Sequence, residues 1–157
     1  MANTNDIKRR LNQYRKKVVE SEIIRKEIEY AKERYGEVKS VSFDGMPSGK
    51  GGDNGGPTER QVLRKIALEE KLKERETELE ADWRLIEPLL EILSPTECLL
   101  IRLRYYYAID WDAVCERLYG KKPDYTEEQE SYKNRMFLMH GRALSALARR
   151  AEKNSKI

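Results

Sequence analysis

The first third of the chain carries apolar residues at helical spacing. Over residues 5–35 they recur every three or four positions, in two successive stretches. The first stretch consists of Ile7, Leu11, Tyr14 and Val18, and the second of Ile24, Ile28, Ala31 and Tyr35. This period predicts one long amphipathic helix over residues 5–35. The second stretch is offset from the first, which argues against a strict coiled coil.

A Gly/Pro-rich segment, residues 37–57, separates this helix from a second one. Its composition sustains neither a helical nor a strand period, and it lacks the Gly-Lys-Ser/Thr ending of a nucleotide-binding loop. Thr58 suits the N-cap of a helix over residues 58–93, in which Pro88 is expected to produce a kink near residues 84–87. Two long helices joined by a linker are typical of an antiparallel hairpin, or of a dimer that uses the same apolar faces.

Shorter helices are predicted after residue 93. Ser94 and Glu97 match a capping box with Pro95 at the first helical position. A helix from Pro95 would carry an apolar side formed by Leu99, Leu103 and Tyr106. Asp110 suits the N-cap of the next helix, whose inward side would hold Trp111, Val114, Cys115 and Leu118. An acidic connection, residues 119–130, leads to an Arg-rich helix over residues 131–150.

These elements predict an all-α fold with two parts. Residues 1–93 would form a long N-terminal helical hairpin used for oligomerisation or for contact with a polymerase. Residues 94–152 would form a compact helix-turn-helix domain. Hydrophobic residues make up 39% of the 157-residue chain and charged residues 38%, so narrow apolar stripes are expected rather than one large spherical core.

The net charge is only +3, but it is distributed unevenly. Residues 131–157 hold seven Lys/Arg and one Asp/Glu, whereas residues 37–130 hold fourteen Lys/Arg and twenty-one Asp/Glu. A basic helical segment of this kind indicates a polyanionic partner. A merely solvated helix face is the alternative.

Several function classes are not expected. The chain has one histidine and two cysteines, Cys98 and Cys115, without the spacing of metal ligands, so neither a metal nor another cofactor is predicted. No arrangement of nucleophile, histidine and acid suggests an enzyme. No signal sequence or membrane span is present, which predicts a cytoplasmic protein without a membrane partner.

The segment from Leu93 to Leu118 resembles the C-terminal promoter-reading domain of bacterial sigma factors. The matching residues are Leu93, Glu97, Leu103, Arg104, Tyr105, Trp111, Val114, Cys115 and Leu118. The later segment "HGRALSALARR" is similar to the recognition helix that closes that domain. Residues 119–130 form a longer and more acidic connection than the usual sigma-factor turn.

The whole chain resembles the RinA/ArpU-like late transcriptional regulators of phages of Gram-positive bacteria. Its linker matches at Ser40, Phe43, Asp44, Gly45, Met46 and Pro47, and its C-terminal part at "GKKPDYTEEQESY" and at His140 and Gly141. The resemblance implies a phage- or prophage-encoded regulator that binds double-stranded promoter DNA and activates late genes. Host RNA polymerase and a second copy of the chain, in a homodimer, are the further partners expected.

In such a domain the helix 131–150 would read DNA with one face. That face would consist of Ser131, Arg135, Leu138, Arg142, Ser145 and Arg149, with Asn134 beside it and Met136, Ala143 and Leu147 on the core side. The expected DNA-binding residues are Ser131, Lys133, Asn134, Arg135, Leu138, Arg142 and Arg149. Asn134 and Arg135 would contact bases, while Lys133, Arg142 and Arg149 would contact phosphates.

Two further expectations concern residues near this helix. His140 is expected to pack beside Trp111 or Tyr106 with a local hydrogen bond, and residues 105–107, all tyrosines, are expected in the core. Two alternative functions remain open. One is a sigma-like protein that binds polymerase or another phage protein without DNA, and the weaker one is a helix-turn-helix DNA-packaging protein similar to a small terminase subunit.

Overall fold

The computed structural model of the protein describes residues 3–36 and 58–155, and these residues are helical with short connections. The α-helices in them are α1 (Thr4–Ala31), α2 (Glu59–Ile86), α3 (Pro95–Ile101), α4 (Trp111–Tyr119) and α5 (Gln129–Ser155). A π-helical turn, Lys32–Gly36, follows α1; a 3-10 turn, Glu87–Ile92, follows α2; and a π-helical turn, Arg102–Tyr106, follows α3. These two stretches contain no strand, so the predicted all-α class is confirmed. The Gly/Pro-rich segment 37–57 lies outside the described residues.

Three helix starts are set by side chains that satisfy free backbone amides, as predicted. The Ser94 hydroxyl accepts from the Glu97 amide at 3.2 Å, and the Glu97 carboxylate accepts from the Ser94 amide at 3.0 Å. Thr58 and Gln61 form the same reciprocal pair at the start of α2. The Asp110 carboxylate accepts from the Ala113 amide at 2.9 Å, which starts α4.

The second long helix is shorter than its apolar period predicted. Instead of running through residues 58–93 with a kink, α2 ends at Ile86 and the chain continues as the 3-10 turn Glu87–Ile92. Pro88 lies in the first turn of this 3-10 segment. Because proline lacks an amide hydrogen and its ring clashes with the preceding helical turn, α-helical hydrogen bonding stops here.

The predicted inward side of α3 is wrong in part. Leu99 and Tyr106 are 44% and 37% exposed, whereas Leu100, Ile101 and Tyr105 are at most 1% exposed. The reason is that α3 is covered on two sides: Leu100 belongs to one apolar cluster and Ile101 to another. A single helical stripe cannot describe a helix that packs on both sides.

The described residues divide into two compact units. The first unit combines the residues up to Val19 with those from Leu79 onward. Its first apolar cluster contains Ile7, Leu11, Tyr14, Trp83, Leu89, Leu90, Leu93, Ile101, Tyr105, Ala143, Leu144, Leu147 and Ala148. Its second contains Leu100, Leu103, Val114, Cys115, Tyr119, Tyr132 and Met136. The start of α1 therefore shares a core with the second half of α5, a grouping that differs from the division expected at residue 93. Whether residues 1–93 and 94–152 have separate roles stays a prediction.

The second unit is the described part of residues 20–78. Ser21, Ile24 and Ile28 of α1 are buried in it, and Arg25 of α1 forms an ion pair with Glu76 of α2 at 2.6 Å. Val62, Leu63 and Ile66 on the first turns of α2 are 40–57% exposed.

Candidate nucleic-acid interface

The site is built on α4, which packs against the N-terminal half of α5. Val114, Cys115 and Tyr119 of α4 are buried, whereas Trp111 and Leu118, also predicted to face inward, are only half-buried. Gly120 follows the last residue of α4, and its backbone lies close to that of Glu116. The Gly120 amide donates to the Glu116 carbonyl at 2.6 Å, and a Cβ added at Gly120 would lie 2.3 Å from that oxygen. Glycine, which has no Cβ, is the residue that permits this close approach.

The long acidic connection before α5 is anchored by aromatic side chains. Tyr132, in the first turns of α5, stacks on Tyr119 with ring centroids 5.0 Å apart and lies 5.9 Å from Tyr125 of the connection. The Tyr132 hydroxyl also donates a hydrogen bond to Asp124. These contacts tie α4, the connection and α5 together, so they orient the start of α5 despite the length of the connection.

Helix α5 has one uncovered face and one buried face. The uncovered face consists of Ser131, Asn134, Arg135, Leu138, Arg142, Ser145 and Arg149, all exposed. The buried face consists of Tyr132, Met136, His140, Ala143, Leu144, Leu147 and Ala148. The predicted separation of the two faces, including the core side at Met136, Ala143 and Leu147, is confirmed. Any contact of the uncovered face with DNA stays a prediction.

Two of the predicted site residues already have protein contacts. Lys133 lies on the side of α5 toward α4 and forms an ion pair with Asp112, with Nζ and Oδ1 2.7 Å apart. The hydrogen bond and the charge of Asp112 raise the pKa of Lys133, so a phosphate would have to compete with this carboxylate. The Arg135 guanidinium lies over the ring of Tyr132 at 5.1 Å, a cation–π contact that still leaves the side chain exposed.

His140 has a structural role behind the uncovered face. Its ring lies 4.8 Å from that of Trp111, as predicted, but its hydrogen bond is not local: Nε2 lies 2.7 Å from the hydroxyl of Tyr105. Burial, together with the charges of Lys8 and Arg104, lowers the pKa of His140 to about 4. The imidazole is therefore neutral near pH 7, which suits a core residue that links the segment after α3 to α5.

The three consecutive tyrosines do not share one environment. Tyr105 is buried, as predicted, and burial raises its pKa to about 12. Tyr106 is partly exposed but packs 4.8 Å from the Trp83 ring. The core prediction is wrong for Tyr107, which follows the π-helical turn and is 60% exposed; its ring makes an edge contact with that of Tyr106.

Sequence reasoning missed two residues beside the site. Phe137 of α5 is 41% exposed and makes an edge contact with Trp111, with ring centroids 5.1 Å apart. Arg104 places its guanidinium 4.4 Å from the centre of the Trp111 ring. The apolar run over residues 136–139 is wider than a core stripe requires and could have indicated an exposed aromatic, whereas the Arg104 contact depends on the fold.

Residues 3–36 and 58–155 contain no cluster of His, Cys, Asp and Glu that could hold a metal ion. None of the helices there is long and apolar enough to cross a membrane. The exposed face of α5 carries a row of guanidinium, amide and hydroxyl groups, and its opposite face is buried in the core. No protein-family model, curated protein or solved structure matches this chain.

Proposed function

We propose that this protein is a phage- or prophage-encoded transcription regulator that binds promoter DNA in the cytoplasm and activates late genes. The observation that carries the proposal is the uncovered face of α5. Asn134, Arg135, Arg142 and Arg149 stand there together and exposed, while the opposite face of the same helix is buried in the core. A helix supported in this way can enter the major groove of a duplex without rearranging the protein.

The first turns of α5 are the part that reads bases in this proposal. Arg135 and Asn134 carry the donors and acceptors that form bidentate hydrogen bonds with guanine and adenine, and Leu138 supplies an apolar contact for a thymine methyl group. Ser131 can donate to a base edge or to a phosphate. The Arg135 guanidinium lies over the ring of Tyr132, and this contact restricts the Arg135 side chain before DNA binds.

The later turns of α5 bind the sugar-phosphate backbone. Arg142 and Arg149 follow Arg135 on the same face, and Lys133 can join them if the phosphate displaces Asp112. These contacts would supply affinity without sequence information. The excess of basic residues in 131–157 gives the whole segment the positive potential that attracts a polyanion.

A second candidate is a sigma-like interaction protein that binds RNA polymerase or another phage protein without DNA. The exposure of Leu138 at 63% and of Phe137 at 41% favours it, since apolar side chains on a helix face also suit a protein partner. Host RNA polymerase is compatible with both candidates. A second copy of the chain remains part of the proposal, and Val62, Leu63 and Ile66 are the exposed apolar side chains that such a homodimer could cover.

Binding of the full-length protein to a random-sequence duplex at several salt concentrations separates these candidates. We expect the logarithm of the affinity to fall linearly with the logarithm of the salt concentration. The slope should be about −0.9 for each phosphate contact. In vitro selection from a random library should then enrich one defined site. Affinity that does not depend on salt, together with no enriched site, would leave the interaction protein as the better candidate.

A further inference from the structure

A surface groove lies between the last turns of α5 and the 3-10 turn Glu87–Ile92, and we call it the α5-end groove. It has a volume of about 560 Å³ and is lined by Ile92, Ala146, Arg149, Arg150, Glu152 and Lys153. The 3-10 turn packs against α5, and Leu90 and Leu147 of these two elements lie in the first apolar cluster. The groove is therefore formed by two elements that share a core, and its volume falls within the roughly 300–1,000 Å³ of ligand-binding clefts.

The lining of the groove carries an excess of positive charge. Arg149, Arg150 and Lys153 are basic, and Glu152 is the one acidic residue of the lining. The three basic side chains form no ion pair within residues 3–36 and 58–155. The buried Nε of Arg150 also has no hydrogen-bond partner there. Because guanidinium and ammonium groups form their strongest hydrogen bonds with anionic acceptors, this lining suits an anionic ligand.

The groove also has an apolar part. Ile92 is 42% exposed, although Leu89 and Leu90 of the same 3-10 turn are buried. Ala146 is half-buried and packs against the first apolar cluster. An apolar side chain placed on Ile92 and Ala146 would remove their surface from water, which is favourable. The phosphate backbone of DNA offers no such side chain, whereas a peptide can combine an apolar side chain with carboxylates.

Most of the groove lies off the uncovered face of α5. Ala146, Arg149, Arg150 and Lys153 are spaced by three, one and three positions, so they share one side of the helix. Arg149 also belongs to the uncovered face, but at about 3.6 residues per turn Arg150 lies about 100° further around the helix. Arg150 is accordingly half-buried, while Arg149 is exposed. A ligand that binds Arg150 and Ile92 therefore does not require a duplex on the uncovered face.

We propose that the α5-end groove binds an acidic segment of a protein partner, in which an apolar side chain stands between carboxylates. Arg150 and Lys153 bind the carboxylates, and Ile92 contacts the apolar side chain. Recognition of acidic motifs by clustered basic side chains is one of the recurring modes of peptide binding. This inference goes beyond the proposed function, because it gives the chain a protein-binding site whether or not α5 binds DNA.

Selection of peptides from a displayed random library on the full-length protein provides the probe. The enriched peptides should carry Asp or Glu on both sides of Leu, Ile or Phe. Binding of a fluorescent synthetic copy of the most enriched peptide is then measured with each variant. Arg150→Gln should weaken binding by about tenfold, the loss expected for a hydrogen bond between charged groups. Lys153→Gln should weaken it by a smaller factor, and since Lys153 is exposed, that loss does not come from misfolding.

The apolar contact is tested separately. Ile92→Ser should weaken binding of the same peptide several-fold without changing any charge. Arg117→Gln and Leu85→Ser are the matched controls. Arg117 is exposed on α4, Leu85 is 70% exposed on α2, and neither lines the groove. Both controls should bind the peptide as tightly as the wild type does.

The remaining outcomes overturn the inference. One is that no peptide is enriched, and another is that the enriched peptide binds Arg150→Gln, Lys153→Gln and Ile92→Ser as tightly as the wild type. Equal losses in Arg117→Gln would show a general charge effect. If peptide binding is absent but Arg150→Gln and Lys153→Gln each lower the salt slope on the random-sequence duplex by about 0.9, the groove is a phosphate site instead. None of these results affects the DNA titrations that test the proposed function.

Discussion

The hydroxyl of Tyr105 lies 2.7 Å from Nε2 of His140, and this buried hydrogen bond joins the segment after α3 to the middle of α5. Tyr105 is 1% exposed and His140 is 7% exposed. The pair fixes the proposed recognition helix against the core at the point where Trp111 also packs on His140. The stability of this junction depends on pH, because an imidazolium cannot accept a hydrogen bond and is costly to bury.

The first prediction is that the protein loses stability between pH 6.5 and 5. The pKa of His140 is about 4 in the folded chain, against about 6.5 in an unfolded one. In this interval the unfolded chain binds the extra proton, so the contribution of His140 is complete above pH 6.5 and declines as the pH falls towards 4. We expect the free energy of unfolding to fall by at most about 2 kcal/mol between pH 6.5 and 5.

Urea unfolding at pH 7, 6 and 5 measures this effect. His140 is the chain's one histidine, and the Asp and Glu side chains of ordinary pKa titrate mainly below pH 5. The control is His140→Gln, which can still bond the Tyr105 hydroxyl but does not titrate, and which should lose the pH dependence. A wild type of constant stability across this range would show that His140 is not buried as described.

The second prediction concerns the aromatic contact between α4 and α5. Trp111→Ala removes the ring that packs against Phe137, His140 and the Arg104 guanidinium. We expect a loss of about 2–4 kcal/mol in the free energy of unfolding, below the largest core truncations because Trp111 is only half-buried. Denaturant titration provides the measurement, with Phe137→Ala as the milder comparison. A loss under about 1 kcal/mol for Trp111→Ala would contradict this packing.

The third prediction contrasts two glycines. Gly141 lies inside α5, and apart from the adjacent backbone of the helix itself no atom lies within 4 Å of the position a Cβ would take. Gly141→Ala should therefore stabilise the protein by roughly 0.5–1 kcal/mol, the difference in helix propensity. Gly120→Ala should destabilise it, because the new Cβ would lie 2.3 Å from the Glu116 carbonyl oxygen. Thermal unfolding of both variants tests the pair, and melting temperatures that shift in the same direction would refute it.

Local features of the fold could be predicted from the sequence. Ser94, Asp110 and Thr58 were recognisable as helix starts because a capping side chain reaches amides only two or three residues away. The two faces of α5 could be separated for a similar reason, since its buried positions follow a regular helical period.

Contacts between distant segments could not be read from the same patterns. Leu100 was missed because α3 packs on two sides, whereas a helical period of apolar residues indicates a single buried side. Leu11 of α1 and Leu147 of α5 lie in the same apolar cluster although almost the whole chain separates them. No pattern in either segment indicates that it packs against the other. Lys133 was predicted to be available for phosphate, but its ion pair with Asp112 depends on how α4 and α5 cross.

We propose that α5 reads DNA with its first turns and binds the sugar-phosphate backbone with its later ones. Arg135 and Arg149 share the uncovered face, but at a rise of about 1.5 Å per residue they stand roughly 21 Å apart along the helix, more than the ~12 Å width of a major groove. Only Arg135 should therefore reach bases.

The most direct measurement is a titration of Arg135→Ala and Arg149→Ala on the selected site and on scrambled duplex at several salt concentrations. We predict that Arg135→Ala costs about 1–3 kcal/mol on the selected site and relaxes specificity, and that Arg149→Ala weakens both duplexes alike and lowers the salt slope by about one. Unchanged affinity and unchanged discrimination in Arg135→Ala would contradict the claim.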